Sequence, residues 1–172
     1  MKRFAVLIFL FAVLFSGCDV KVDVKDVFKL PIKITATLEG NEGVFISEIL
    51  SEQSIVTFEE SHVLSGTTLV FTEDGNTATV SDVFTRSIKD GTFPVQETFI
   101  KAIRLLSSTE SDVIYENGRI RYTIDEMTIL VYYDENNDSV TRIETEEGTR
   151  RFVFIIASIE SYDTQSQSGR IA

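Results

Sequence analysis

The amino-acid sequence predicts an α+β, mainly β fold: a strongly curved antiparallel sheet, or half-barrel, with one amphipathic helix packed on it. Most of the 172 residues fall into short stretches in which apolar and polar side chains alternate, and turn sequences separate these stretches. This organisation is typical of antiparallel strands joined by hairpins. A single stretch, 93–106, has helical periodicity instead. A chain of this length is expected to form one domain.

The N-terminus has the organisation of a secretory signal. Two basic residues precede an unbroken apolar run, 4–15. This run is shorter than the roughly 20 apolar residues that a membrane-spanning helix needs, and its length suits the apolar core of a signal peptide. Ser16 and Gly17 then lead directly into Cys18, which is the single cysteine of the sequence.

The arrangement of Ser16, Gly17 and Cys18 resembles the lipobox of bacterial lipoproteins. The resemblance implies that Cys18 is the lipidation site and carries acyl chains such as palmitate, so that the protein is anchored to the cell membrane on its extracytoplasmic face. The alternative is an ordinary buried free cysteine. More than one acyl chain on Cys18 would hold the protein stably, because a single chain binds a membrane only marginally.

These observations divide the chain into four parts. We expect the signal peptide to be removed and the C-terminal tail, which is polar, to be disordered. The parts are a lipoprotein signal peptide (1–17), a short lipidated tether (18–26), the half-barrel domain (27–162) and the polar tail (163–172).

The charge balance limits the partners of the protein. Lys and Arg number 16 against 27 Asp and Glu, and the net charge of −11 falls to −13 when the two basic residues of the signal are removed. Binding to nucleic acid requires clusters of basic residues, so no nucleic-acid partner is expected. The acidic surface also disfavours close contact with anionic lipid headgroups. We expect a monomer that reaches the membrane through its covalent anchor.

The first strand follows the cysteine closely. The stretch 19–25, DVKVDVK, alternates valines with charged residues, and the same phase continues to Leu38 with Asp26 as the single exception. We expect the ordered strand to begin near Val27. Pro31 cannot donate a hydrogen bond to a neighbouring strand, so it predicts that this first strand lies at a sheet edge or begins at a bulge.

Five turn sequences divide the rest of the sheet. They lie at 40–43, 73–76, 117–118, 134–138 and 146–148, and the Asn-Gly pair at 117–118 is the strongest hairpin signal because both residues accept positive φ. The C-terminal half is therefore predicted to be a meander. The strands predicted between the turns are 44–50, 67–72, 77–83, 112–115, 119–124, 128–133, 140–144 and 150–159.

One amphipathic helix is predicted between the two groups of strands. Pro94 suits the first helical position, while Glu97 and Arg104 suit the N-terminal and C-terminal ends of the helix dipole. The apolar face of this helix needs a surface to cover, and the sheet supplies it. Its apolar residues at helical spacing are Val95, Phe99, Ala102, Ile103 and Leu106.

The order of elements resembles a group of half-barrel lipoproteins. Supporting stretches are 55–58 followed by 64–75, Phe93-Pro94 before the helix, and 129–147 after it. The group is related to the outer-membrane lipoprotein carriers and the mycobacterial lipid-binding lipoproteins, and the small uncharacterised lipoproteins of the clostridial group are the most similar. The resemblance implies that an acyl chain is held between sheet and helix.

Two functions of different classes follow. The first is non-enzymatic binding of an acyl chain or other small amphiphile between sheet and helix, in a cavity lined by Phe71, Phe99, Ile103 and Leu106. Ligand pockets of this kind are mostly apolar with a few polar anchors, and Lys101 and Arg104 could meet a headgroup. The second is an envelope adaptor, a protein-interaction module whose core is packed solid.

The sequence carries little that indicates catalysis. His62 is the single histidine, and its position beside Ser61 is typical of a surface loop. No G-x-S-x-G nucleophile motif is present. The acidic turn at 134–138 lacks the glycine and the terminal glutamate of a calcium loop, so a solvated hairpin turn is the better interpretation. We expect no enzyme activity, no cofactor and no metal site.

Overall fold

The computed structural model shows one sheet that carries one long helix. The predicted signal peptide (1–17), Cys18 with most of the tether (18–26), and the tail (163–172) lie outside the described residues. The structure describes residues 24–41, 43–59, 62–108, 113–116, 118–124, 126–134 and 136–161. None of the helices in these ranges is long and apolar enough to cross a membrane.

Within the described residues, eleven antiparallel strands and two helices form the fold. Helix α1 is a single turn, Val24–Val27, and helix α2 spans Pro94–Ser108. The strands are β1 (Ile32–Leu38), β2 (Val44–Ile49), β3 (Gln53–Phe58), β4 (Thr67–Thr72), β5 (Gly75–Val80), β6 (Phe84–Ile88), β7 (Val113–Glu116), β8 (Arg119–Ile124), β9 (Met127–Asp134), β10 (Ser139–Glu147) and β11 (Arg150–Ser161).

The sheet consists of two meanders joined at their first and last strands. Its order is β6-β5-β4-β3-β2-β1-β11-β10-β9-β8-β7, so that β1 pairs with β11 although almost the whole domain separates them in sequence. Strands β6 and β7 are therefore the two edges. Helix α2 connects these edges, and it contacts β2 and β10 in the middle of the sheet. The predicted α+β, mainly β fold, with a curved antiparallel sheet and one packed helix, is confirmed.

The two faces of the sheet differ in burial. On β1, the alternating residues Ile32, Ile34 and Ala36 are fully buried and belong to the same core as Phe99 of α2. We call the face that carries these three residues the inner face. Successive residues of a strand point to opposite sides, so the residues between them lie on the outer face.

Helix α2 begins where the sequence predicts and is capped by its own first turn. The carboxylate of Glu97 accepts a hydrogen bond from the backbone N–H of Gly91 at 2.7 Å and a longer one from that of Phe93 at 3.4 Å. These bonds hold the segment before the helix against its first turn, in the manner of a capping box. The buried residues of the helix are Gln96, Thr98, Phe99, Ile100, Ala102, Ile103 and Leu106.

The expected position of the first strand is wrong. Strand β1 lies in the middle of the sheet, between β2 and β11, and it begins at Ile32 rather than near Val27. Pro31 immediately precedes the strand, so no ladder hydrogen bond is required of it and a central position is allowed. The residues Val24–Val27 form a helical turn instead of extending the strand.

Strand β6 is absent from the sequence-based prediction. The turn that leads into it contains neither Gly, Asn nor Pro: Ser81 and Asp82 themselves adopt positive φ values of 49° and 55°. Ser and Asp are common turn residues, but this pair is not the Asn-Gly or Asp-Gly hairpin signal, so the predicted strand 77–83 extends through the turn. The strand is also short, and its centre is Arg86.

Candidate functional site

The four residues predicted to line a cavity share one core. Phe99, Ile103 and Leu106 lie on the buried face of α2, and Phe71 lies on the inner face of β4. Phe99 and Ile103 are completely buried, and Phe71 is 8% exposed. The structure thus brings the four residues to the helix–sheet interface. Of the four, Phe71 lines the two grooves described below, whereas Phe99, Ile103 and Leu106 line neither of them.

Aromatic rings fill the centre of that interface. Phe99 of α2 lies 5.3 Å from Phe45 of β2 and 4.7 Å from Phe154 of β11, measured between ring centroids. Phe45 and Phe154 are themselves 6.3 Å apart in an edge-to-face arrangement. Such pairs stabilise a core beyond the burial of their surface. The middle of the interface is therefore packed by the protein's own side chains.

An open groove lies beside this packed centre, along the exposed edge of α2. It has a volume of about 320 Å³, and Phe71, Ile100 and Leu105 form its apolar part. A second groove of about 250 Å³ adjoins it and shares Phe71, Ile100 and Arg104. Volumes of this size are at the lower end of the range for ligand pockets, about 300 to 1,000 Å³. We call the first of these the α2 groove.

Two cations border the α2 groove and have different roles. Lys101 is 54% exposed and its ammonium lies 2.5 Å from a carboxylate oxygen of Glu147. Arg104 donates hydrogen bonds to the backbone oxygens of Leu50 and Ser51, each at 2.9 Å, and to the hydroxyl of Ser54 at 3.0 Å. Arg104 thus ties the helix to the β2–β3 turn, whereas Lys101 keeps an exposed charge at the rim.

Replacing Arg104 by Gln is expected to lower the free energy of unfolding by about 1 to 3 kcal/mol, because the buried hydroxyl of Ser54 and two backbone carbonyls lose a charged donor. Chemical denaturation of the two proteins measures the difference. The matched control is Lys101→Gln, which removes an exposed ion pair and should change stability by less than about 1 kcal/mol. Equal effects for the two variants would contradict the role given to Arg104.

His62 occupies a buried position, not the surface loop position that the sequence suggested. It is 9% exposed, and its ring lies 4.5 Å from the Phe58 ring. The Nδ1 atom accepts a hydrogen bond from the backbone N–H of Leu64 at 2.9 Å, which requires the neutral ring. Burial lowers the pKa of His62 below its ordinary value. The single histidine is therefore used to hold the loop before β4.

Gly43 leaves the space that the His62 ring fills. A Cβ atom at position 43 would lie 2.2 Å from Cδ2 and 2.7 Å from Cγ of His62. Gly43→Ala is therefore expected to lower the free energy of unfolding by about 1 to 3 kcal/mol. Because His62→Ala removes the clash, the double variant should lose less stability than the sum of the two single losses in a thermal unfolding series. Additive effects would contradict this contact.

A charged cluster lies on the outer face, on the far side of the sheet from α2. Glu144 of β10 is only 2% exposed, and its two carboxylate oxygens meet Arg142 at 2.9 Å and Arg151 at 2.7 Å. Its cross-strand neighbours Leu130 and Val153 are also buried. This covered spot explains why β9 and β11 carry apolar residues, Leu130 and Val153, on their outer face.

Opposing effects act on the pKa of Glu144. Burial raises it, but hydrogen bonds from Arg151 and Tyr132 and the charges of Arg142 and Arg151 together outweigh burial and hold it below the ordinary value. The carboxylate is therefore charged at neutral pH. Sequence reasoning did not single out Glu144, because a Glu in an alternating strand is typical of a solvent-facing position.

The described residues of the acidic turn at 134–138 form hydrogen bonds within the turn. The carboxylate of Asp134 accepts hydrogen bonds from the backbone N–H of Asn136 and the side chain of Asn137, as expected for a hairpin turn. These bonds lower the pKa of Asp134. Across the described residues, no group of three or more His, Cys, Asp or Glu side chains is placed to hold a metal ion.

Comparison with solved structures gives several likenesses, which include the following two. One is an uncharacterised conserved protein from Thermus thermophilus, with 9% identity, a TM-score of 0.44, and coverage of 82% of this chain and 84% of that chain. The other is a DUF1329 family protein from Desulfovibrio piger, with 11% identity, a TM-score of 0.36, and coverage of 82% and 90%. No protein-family model matches the sequence, and no curated protein matches it. At these TM-scores, neither likeness bears on function.

Proposed function

We propose that this protein is a lipoprotein anchored on the extracytoplasmic face of the cell membrane and that it binds an acyl chain or other small amphiphile without catalysis. The observation that carries the proposal is the α2 groove, in which Phe71, Ile100 and Leu105 provide an apolar floor and Lys101 a cation at the rim. Anchoring rests on the lipobox-like residues that end in Cys18.

The α2 groove supports an open mode of binding. The centre of the interface is filled by Phe99 and its ring neighbours, so the acyl chain lies along the helix edge between sheet and helix. An anionic headgroup would then meet the ammonium of Lys101, which stays exposed although it pairs with Glu147. An exposed charge of this kind exchanges partners at little cost.

A non-enzymatic role is supported by the packing and hydrogen bonding of His62, the single histidine of the sequence. Its Nδ1 atom is engaged by the backbone of Leu64, and the ring is buried against Phe58. A general base must reach a substrate proton within about 2.6 to 3.2 Å, directly or through one water. The ring is instead a packing element of the loop before β4.

Titration of the chain 19–172 with a fluorescent long-chain fatty acid tests the groove. Leu105→Glu places a carboxylate on the apolar wall of the groove, beside the expected position of the acyl chain. It should weaken binding about tenfold or more, which corresponds to a loss of about 1.4 kcal/mol or more in binding free energy. The matched control is Ile114→Glu, which changes an exposed aliphatic residue on β7 that does not line the α2 groove. Equal affinity for Leu105→Glu and the unmodified chain would sink the proposal.

Labelling of cells with an alkyne-bearing palmitate analogue tests the anchor. The full-length chain should incorporate the label and sediment with membranes, and Cys18→Ala should do neither. Labelling that persists in Cys18→Ala would place the lipid elsewhere and would contradict the anchor.

The adaptor is the second candidate, and the filled aromatic centre favours it. A core closed by Phe45, Phe99 and Phe154 is what a purely structural half-barrel requires. If the chain binds no fatty acid and carries no extractable lipid after mild purification, the adaptor becomes the better account and the search moves to protein partners.

A further inference from the structure

The outer edge of β6 is open. Strand β6 pairs with β5 on one side, and within the described ranges no strand pairs with its other side. An edge strand presents a row of backbone N–H and C=O groups that can accept a further strand. Neither face of β6 is covered, because its side chains from Phe84 to Ser87 are all exposed.

Exposed apolar side chains surround the start of β6. Val83 is 88% exposed and Phe84 60%, and Val80 of the preceding strand is 46% exposed. The backbone N–H of Ser81 donates a 2.6 Å hydrogen bond to the carbonyl of Gly66, which ties the β5–β6 turn to the loop before β4, where Val63 is also exposed. Contiguous exposed apolar residues on a soluble protein are typical of interaction sites. We call the region formed by Val80, Val83 and Phe84 the β6 corner.

The β6 corner differs in charge from the rest of the chain. The stretch 80–89 contains one acidic residue, Asp82, and two basic residues, Arg86 and Lys89, in a chain with a net charge of −11. Arg86 forms no ion pair with any described residue. A second copy of this acidic protein is repelled elsewhere but can approach here without a charge penalty.

We propose that β6 pairs in antiparallel orientation with β6 of a second copy of this chain, with Thr85 on the two-fold axis. A symmetric interface must be complementary to itself. With Thr85 opposite Thr85, Phe84 of each copy lies directly opposite Arg86 of the other on the inner face. This dimer replaces the monomer expected from the sequence.

A register centred on Arg86 is less favourable than one centred on Thr85. If Arg86 were on the axis, the two guanidinium groups would face each other, and like charges directly opposite are destabilising. Centring on Thr85 instead places each guanidinium over an aromatic ring, which contributes roughly 0.5 to 1 kcal/mol per pair at exposed sites. A single Arg on an edge strand commonly prevents association. In this register it promotes association.

Disulfide trapping in the full-length chain tests the pairing. Residues directly opposite in an antiparallel pair have Cα atoms about 4.5 to 5.5 Å apart, within the range of a disulfide, about 4.4 to 6.8 Å. Thr85→Cys, oxidised in membranes, should therefore give a species of twice the monomer mass on non-reducing gels. Ser87→Cys is the matched control, because in this register its two copies lie roughly 13 Å apart.

A further variant links the dimer to Arg86. Arg86→Glu in the Thr85→Cys background should reduce the trapped fraction about fivefold, as expected from the loss of two cation–π pairs. The unmodified chain, whose single cysteine is Cys18, is the control for dimers that are linked through Cys18. The proposal is overturned if Thr85→Cys forms no dimer, if Ser87→Cys forms one as readily, if Arg86→Glu leaves the trapped fraction unchanged, or if the trapped species contains a different protein.

Discussion

Replacing Glu144 by Ala is expected to lower the free energy of unfolding by about 3 kcal/mol. The carboxylate is 2% exposed, receives a charged hydrogen bond from Arg151 and forms an ion pair with Arg142. Losing it leaves both guanidinium groups above the apolar pair of Leu130 and Val153. The two arginines are 33% and 58% exposed, so water reaches them in the variant and keeps the loss below the roughly 5 kcal/mol of a fully buried pair.

The control for Glu144 is its neighbour on the same strand. Glu146 is 49% exposed and lies 3.5 Å from Arg151, so Glu146→Ala should change stability by less than about 1 kcal/mol. Urea denaturation of both variants measures the contrast. Similar values for the two would show that the outer-face cluster does not act as a buried ion pair.

Acid is expected to destabilise the protein, because protonation of His62 and protonation of Glu144 each lower the free energy of unfolding. The folded-state pKa of His62 lies below 6.5 and that of Glu144 below 4.5. Each group therefore binds protons more readily when the chain is unfolded, and stability falls as the pH drops below these values. Melting temperatures between pH 7.5 and 4 should decline in the unmodified protein. His62→Ala should remove the decline just below pH 6.5, and a decline that persists unchanged would contradict this assignment.

Replacing Phe99 by Ala is expected to lower the free energy of unfolding by about 3 to 5 kcal/mol, since it removes a completely buried ring at the centre of the helix–sheet interface. Phe45 and Phe154 both lose their ring contact with it. Calorimetric or denaturant unfolding measures the loss. Leu105→Ala, which truncates a half-buried residue of the same helix, is the control and should cost less.

The same variant distinguishes two positions for a bound acyl chain, the α2 groove and the core. If the α2 groove is the binding site, Phe99→Ala should leave fatty-acid affinity within about twofold under conditions where the variant is folded, because the groove lies beside the ring and not beneath it. A strong gain in affinity would mean that a cavity opened at the centre now takes the chain, and would favour a site within the core over the groove.

Hairpins and the helix were predictable because their signals are local. Asn117-Gly118 predicts the turn between β7 and β8, and Gly118 has a φ of +75°. Pro94 predicts the start of α2, and the 3.6-residue spacing of Phe99, Ile103 and Leu106 predicts its buried face. In each case a few neighbouring residues determine the backbone conformation.

The missed features depend on contacts that are distant in sequence. Strand β6 was overlooked because Ser81 and Asp82 turn the chain without glycine, held by the carbonyl of Gly66. The burial of His62 requires the space left by Gly43, which immediately precedes β2. Neither relation can be read from a window of adjacent residues.

The sequence by itself determined the class of fold, the position of the helix and the four residues at its interface with the sheet, because periodicity and turn chemistry act over a few residues. Tertiary structure alone decided the pairing of β1 with β11, the covered position of Glu144 and the choice between a filled centre and an open groove. These depend on which strands become neighbours and on how side-chain volumes fill the space between them, and local patterns carry neither.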